Sequence, residues 1–593
     1  MAASLPLAAA DEPAGLKVFT AQCSVCHDHA QPGSRTPAAD TLRKLPVTAI
    51  LQALETGVMR TQGALLTAAE KRDVANYLGV AVQSSVANAC KSGTAWTAPE
   101  SSAMWTGWSP GGANWRFQPA DAAGLSASDL PKLKLRWAYG FPGGTNMRAQ
   151  PAVYRGRVFL GGPDGTVTAL DAKSGCTAWS AKAPAQIRTG ILIAPVGGRT
   201  MAFLGDSAGL IHAYDAETGV QVWQRRLDQH ATTLATATPV LHDGKLYVGA
   251  SSYEESIAAR PDYVCCSFRG SVSALDAGTG AVAWKTWTIA EEPKAQPNNS
   301  RGQKVVGPSG AGVWAAPTVD AAKGLVYVAT GDNYSDPPTA TSDSVLALSL
   351  ADGKIVWTKQ LTAGDAFNVA CGSGANCPDA KGPDFDLATS PMLVSLPSGK
   401  RALLVGQKSG QMHALDPDKQ GELIWTTRVG KGSALGGIQW GPATDGNLLY
   451  AAVSDVGFRR GANGRELDPT VGGGISGLRI DNGEIVWKTP PPDCDTKRPC
   501  SPAQSAAVTA SNGFVLSGSL DGHLRAYDTA NGKILWDFDS MRDFATVNGV
   551  KGSGGSFDAG GAIVAGGMLF TESGYAQFGG VPGNVLLAFA LEQ

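Results

Sequence analysis

Cys23-Ser-Val-Cys26-His27 sets two thiols three positions apart with an imidazole directly after them. That spacing suits two thioether bonds to haem vinyl groups while the histidine supplies an axial nitrogen, which is the chemistry of a c-type electron-transfer haem. A thioredoxin-type couple or half of a zinc site would need a βαβ context or a second Cys-x-x-Cys pair, and the sequence has neither. The sixth iron ligand is expected from a thioether downstream, and Met59 is the one Met between the haem motif and Met104. Met59 is therefore read as a ligand of the haem iron rather than as core filler. His29 competes for that role but lies too close to His27 to reach the opposite haem face easily. Further on, adjacent Cys265 and Cys266 either close the small ring of a vicinal disulfide or remain two buried thiols.

The other cysteines point the same way. Cys371/Cys377 and Cys494/Cys500 are spaced to staple short loops, and Cys90 with Cys176 is the pair left over, predicted to tie a linker to the first repeat. Ten Cys in a chain of 593 residues favour an oxidising compartment. The small-residue stretch before Asp11 reads as the remnant of an export signal, so a periplasmic location is expected. A net charge of -2 without a dense basic cluster gives no footprint for nucleic acid, and no apolar run approaches the roughly 18 residues of a membrane span.

Two kinds of element must position these groups. Residues 14–80 read as a small all-α domain, with Thr67-Ala-Ala-Glu70 as a capping box opening a helix that carries Val74, Tyr77 and Leu78 on one face. Residues 81–102 have linker composition. From 103 to 593 a unit recurs in which an apolar strand leads to a turn with Gly and then a Trp four residues on. The copies are Gly175/Trp179, Gly219/Trp223, Gly280/Trp284, Gly353/Trp357, Gly421/Trp425, Gly483/Trp487 and Gly532/Trp536. Trp spacings from 44 (Trp179 to Trp223) to 73 (Trp284 to Trp357) fit propeller blades with variable insertions better than a solenoid. An eighth copy without Trp is read in Asn584–Leu591, whose strand is expected to pair with Leu133–Tyr139 and close the ring. The fold class is thus mainly β: an eight-bladed propeller with Trp-docking repeats, preceded by a cytochrome c domain.

Trp-marked blades, vicinal cysteines and an attached Cys-x-x-Cys-His domain together resemble the alcohol dehydrogenases that use pyrroloquinoline quinone (PQQ). The segment Trp105–Phe117, the stretch Leu133–Pro142 and the N-terminal position of the haem motif resemble, more narrowly, the polyvinyl alcohol dehydrogenases. The resemblance covers nearly the whole chain. It implies a vicinal disulfide at Cys265–Cys266 over one face of PQQ and Trp314 beneath the other. It implies calcium held by Glu254, with Glu255 as alternate, and by Asp332 or Asn333, with Ser251 near the cofactor. Pro383-Asp384-Phe385-Asp386-Leu387 is similar to the stretch bearing the catalytic aspartate, which maps to Asp386; Phe385 replaces the usual Trp, so Asp384 stays in contention. Lys408 matches the basic residue at the quinone oxygens, Arg188 and Thr189 the pair approaching a PQQ carboxylate, and Thr236 is a weaker candidate of that kind.

This set is chemically coherent, because a tricarboxylate quinone needs cations at its rim, a hard divalent ion and flat apolar walls. The expected reaction is oxidation of secondary alcohol groups of polyvinyl alcohol to ketones, with PQQ, haem c and Ca²⁺ as cofactors and electrons leaving through haem to an external acceptor such as a cytochrome c. A quinohaemoprotein for small alcohols or aldehydes is the first alternative, and a non-catalytic propeller scaffold the second.

Overall fold

The computed structural model describes residues 14–28, 36–43, 45, 47–55, 57–79, 88–372, 374–461, 464–494 and 500–592. The chain divides into two compact units at residues 85/86. In the first, described residues form short helices only, including α1 (Ala14–Gln22), α2 (Ser24–His27), α3 (Ala39–Leu42), α4 (Val47–Glu55), α5 (Arg60–Gly63) and α6 (Ala68–Leu78). Thr67 and Glu70 make the capping box of α6, with Thr67 N donating to Glu70 Oε2 at 2.7 Å. Phe19, Ile50, Leu54, Leu66, Val74, Ala75 and Leu78 close the core of this unit.

The second unit is an eight-bladed β-propeller built on four-stranded antiparallel sheets whose strands follow in chain order, except in the last, where Leu133–Gly140 supplies one strand. The first blade runs through Ala152–Tyr154, Arg157–Gly161, Thr166–Asp171 and Thr177–Lys182. Strands such as Arg157–Gly161 are buried along their whole length, whereas Gln221–Arg226 at the edge of the next blade is largely exposed. Cores lie between neighbouring sheets: Phe159, Ala169 and Trp179 of the first blade pack with Ala202, Leu204 and Tyr214 of the second. The expected ring closure is present, since Leu133–Gly140 pairs antiparallel with Val585–Leu591 in the last sheet.

The recurring Gly and Trp residues meet across blades. Trp179 Nε1 donates to Ala216 O at 3.0 Å and Trp425 Nε1 to Ile480 O at 3.0 Å, each acceptor in the following blade. The eighth copy does include a Trp, supplied from the other end of the propeller. Trp137 in the closing strand donates to Ala172 O at 3.0 Å and packs on Gly175, which has φ +71°. A Cβ there would stand 2.7 Å from the indole, so both the backbone conformation and the close approach require glycine. Trp357 departs from the pattern: its Nε1 is buried with no partner, and a 3-10 turn at Pro417–Lys419 precedes Gly421.

Residues 88–102, within the stretch of linker composition, are bound to the first blade. Ala89 bridges Thr177, Cys90 is disulfide-bonded to Cys176, and Arg157 donates to Ala95 O at 2.7 Å beneath the Trp96 ring. Their composition reflects the lack of regular structure rather than a free chain. The segment Trp105–Phe117 then crosses several blades. Asn114 donates to Pro317 O at 2.9 Å, Trp115 Nε1 to Leu393 O at 2.6 Å, and the fully buried Arg116 to Val508 O at 2.6 Å.

Candidate active site

Three irregular segments between strands bring the central groups together. Asp332 follows strand Leu325–Ala329, Asp384 and Asp386 lie between strands Ile355–Gln360 and Met392–Ser395, and Lys408 sits on the turn after Arg401–Gly406. All four side chains are buried. Lys408 Nζ lies 2.7 Å from Asp384 Oδ1 and 2.7 Å from Asp386 Oδ2. Asp386 Oδ1 accepts from the Asp332 backbone N–H at 2.7 Å. One oxygen from each of Asp332, Asp384 and Asp386 lies within 4.8 Å of the others. Asp332 Oδ2 is buried without a hydrogen-bond partner. Gly331 permits this approach, because a Cβ there would stand 2.6 Å from Asp386 Oδ1.

The carboxylates outnumber the cation, and their electrostatics follow. Burial pushes the Asp332 carboxyl well above the ordinary aspartate range, reinforced by Asp386, Asp384 and Glu255. Burial likewise raises Asp384, against the opposing pull of Lys408. For Lys408 burial disfavours the charge, but Asp384, Asp386 and Glu255 outweigh it and hold the ammonium well above the lysine range. Lys408 is therefore a fixed cation between two carboxylates.

The two candidate glutamates face different surroundings. Glu254 is fully buried, and its carboxylate accepts from Tyr263 Oη at 2.7 Å, Ser267 N at 2.8 Å and Phe268 N at 2.7 Å. Its oxygens are committed to the chain beside Cys265–Cys266. Glu255 instead feels Lys408 and Asp386 directly, and burial pushes it up to about 7. Asn333 is similarly occupied, donating to Ser309 O at 2.9 Å and accepting from Thr339 N at 2.7 Å. Of each adjacent pair, Asp332 is the one with an unpartnered oxygen in the cluster, and Glu255 the one that senses the charges of Lys408 and Asp386.

Around this cluster, Trp314 and Trp440 meet edge to face with ring centroids 5.1 Å apart, and Lys408 Nζ lies 5.8 Å from the Trp314 centroid. Cys265 and Cys266 are disulfide-bonded, and Cys266 N donates to Val306 O at 2.8 Å. Thr236 and Ser251 hydroxyls lie 2.8 Å apart, while Thr189 Oγ1 accepts from Gly205 N at 2.9 Å. Arg188, Thr236 and Trp314 line a narrow cleft, together with Trp108, Arg148 and Trp440. Sequence reading missed the last three, and also Asp365. The Asp365 carboxylate accepts from Asp384 N at 3.1 Å and Phe385 N at 2.8 Å, and its backbone carbonyl accepts from Asn333 N at 3.2 Å. It thus ties both halves of the acidic cluster together, holding Asp384 in a left-handed conformation with φ +59°.

In the helical unit, His27 is buried and its Nδ1 lies 2.7 Å from Pro37 O. A carbonyl can only accept, so Nδ1 carries the hydrogen and Nε2 is left as a lone-pair donor suited to a metal. Cys23 and Cys26 form no disulfide, and Met59 packs against the core of the unit. His29 lies outside the described residues.

A family profile described as glucose/ethanol/alcohol dehydrogenase, β-propeller domain, matches residues 228–430, the span that carries Glu255, Trp314, Asp332, Asp386 and Lys408. One described as outer membrane protein assembly factor BamB matches residues 84–263 and 471–589. A solved quinohemoprotein alcohol dehydrogenase from Pseudomonas putida superposes with a TM-score of 0.62 at 18% identity, covering 82% of this chain and 80% of that one, and so shares the fold. The molecule is of the PQQ-dependent alcohol dehydrogenase class. Two proteins named polyvinylalcohol dehydrogenase are each 38% identical over 98% of this chain: one from Pseudomonas sp, 94% of whose length is covered, and one from Sphingopyxis sp. (strain 113P3), with 93% covered. The chain belongs to the polyvinyl alcohol dehydrogenase family.

Proposed function

We propose that this enzyme oxidises secondary alcohol groups of polyvinyl alcohol to ketones in the periplasm, with PQQ and calcium in the propeller and haem c in the helical unit. The observation that carries the reading is Lys408 held between Asp384 and Asp386 beside a buried, unpartnered Asp332 oxygen. Orphaned polar atoms fit the cofactor: Asp332 Oδ2 in the acidic cluster suits a hard cation, and the buried Arg188 Nε on the cleft suits a carboxylate. Calcium would be held by Asp332, whose Oδ2 has no partner, and by Glu255, the glutamate that senses the charges of the cluster, in preference to Asn333 and Glu254, which are hydrogen-bonded within the chain. When bound, PQQ supplies a two-electron acceptor for the hydride of the alcohol carbon.

The residues of the chain do the rest. Asp386 keeps a lone pair on each oxygen beyond those used by Asp332 N–H and Lys408, and so can receive the hydroxyl proton of the alcohol. Lys408 is fixed to donate toward a quinone oxygen, and Trp314 with the Cys265–Cys266 disulfide offers flat walls. Residues 14–79 would serve as the cytochrome domain, Cys23 and Cys26 holding haem covalently and His27 with Met59 ligating the iron. The Trp residues on neighbouring-blade carbonyls would keep the ring rigid around the site.

The full chain carrying haem, reconstituted with PQQ and Ca²⁺, tests this by its visible spectrum before and after polyvinyl alcohol is added. Haem reduction by the polymer, lost in Asp386→Asn or without PQQ, is the expected result. Reduction by small alcohols alone would sink the polymer assignment.

A further inference from the structure

Arg148 has no part in the reading above, yet it is one of the least satisfied charges in the propeller. It is 4% exposed, and its Nε and Nη1 have no hydrogen-bond partner. Its Nη2 meets the Tyr575 hydroxyl at 3.5 Å and the Gln577 amide oxygen. Arg188, on the same cleft, has a partnerless buried Nε, and burial together with the nearby Arg148 charge holds it below the usual arginine range. Asp558 is the carboxyl that both guanidiniums feel. Its Oδ1 accepts from Trp440 Nε1 at 3.0 Å, and burial pushes it up to about 6 against the pull of Arg148, Trp440 and Arg188.

Two like charges on one cleft, with three buried guanidinium nitrogens left idle, are unfavourable unless an anion joins them. The opposite pole of the same region is acidic. Trp314 stands between the two, lining the cleft with both arginines while its Nε1 lies 3.4 Å from where a Cβ on Gly331 would be, beside Asp386. A ligand along Trp314 is therefore met by guanidiniums at one end and by Lys408 with its carboxylates at the other.

We infer that Arg148 acts with Arg188 as a two-guanidinium receptor for carboxylate groups of the quinone, fixing which end of the cofactor faces Lys408. This rests on the PQQ reading. Asp558 competes with that anion for the same two cations, so Arg148 and Asp558 have opposite effects on cofactor affinity.

The test uses the cofactor-free full chain titrated with PQQ and, in parallel, with its trimethyl ester, followed by tryptophan quenching and thermal unfolding. Arg148→Gln is expected to weaken PQQ about 50-fold, the scale of one or two charge-assisted hydrogen bonds, while changing the ester by no more than about twofold. Its own unfolding temperature without cofactor should hold or rise, because a like-charge contact is removed. Asp558→Asn keeps an acceptor for Trp440 and should tighten PQQ several-fold. Equal PQQ affinity in Arg148→Gln, an equal loss for acid and ester, or weaker binding in both variants would overturn the inference. If the unaltered chain binds no PQQ, the cofactor reading falls and this inference with it.

Discussion

Lys408 and the carboxylates around it set the pH behaviour of the site. Glu255 is pushed up to about 7, so in the metal-free protein it holds a proton that the unfolded chain releases near the ordinary glutamate range. Between those two values the folded state binds the extra proton, and this group's contribution to stability falls as pH rises through that window. A cation that needs the ionised form gains in the same direction. Calcium affinity measured by titration calorimetry is expected to rise about tenfold between pH 6 and pH 8, and Glu255→Gln should weaken binding and flatten that dependence. Several of these residues were legible because they sit in short segments of mixed apolar and charged residues: Asp384 and Asp386 two apart, Asp332 beside Asn333, Glu254 beside Glu255. The choice within each adjacent pair was not legible, since it depends on which oxygens Ser267, Phe268 and Thr339 already occupy. Arg148, Asp365 and Asp558 carried no local pattern at all. Their meaning comes from partners brought together by ring closure, as when Arg148 meets Tyr575.

Irregular segments, not strands, carry the chemistry, and each is held by a few hydrogen bonds. Asp365 is the clearest case, binding two backbone N–H groups of the Asp384–Asp386 segment and a third at Asn333. Asp365→Ala should lower kcat about 100-fold, the cost expected when a reacting group is misplaced by about 1 Å. Asp365→Asn, which still accepts one bond, should recover part of that loss in the same steady-state assay. In the sheets the Gly and Trp positions matter most. Gly175→Ala places a Cβ at positive φ against Trp137, and denaturant unfolding should show a loss of about 2 kcal/mol, the strain of a left-handed residue plus displacement of the ring. The repeat was readable because a turn with positive φ selects Gly, and within each hairpin the Trp follows that turn at a fixed place on the next strand, although the indole lying on each Gly comes from the preceding copy. The eighth Trp escaped that reading because Trp137 lies far from its sheet partners in sequence, in the strand paired with Val585–Leu591.

At the scale of the whole molecule, the two units differ in how far apart their contacts lie along the chain. The helical unit is knit from residues between 14 and 79, whereas the propeller joins Leu133 to Leu591 and Arg116 to Val508. Family resemblance pointed to candidate residues in the propeller, since the Asp386 and Lys408 segments are each short, but it could not show that Trp105–Phe117 crosses several blades. That segment binds Pro317, Leu393 and Val508, at the fourth, fifth and seventh blades of the ring, all of them made long after it. A ring clasped by its first and last strands is an all-or-none object in time as well as in space. As the chain emerges, Leu133–Gly140 must wait for Val585–Leu591 before it has a partner, and a half-made ring presents the open edge of Leu133–Gly140 to any neighbouring chain. The helical unit has all the residues of its core by position 79, while the propeller is completed only with the final strand. Loss of Val585–Leu591 would therefore cost the whole ring its closure rather than one blade, while the helical unit keeps all of its own core.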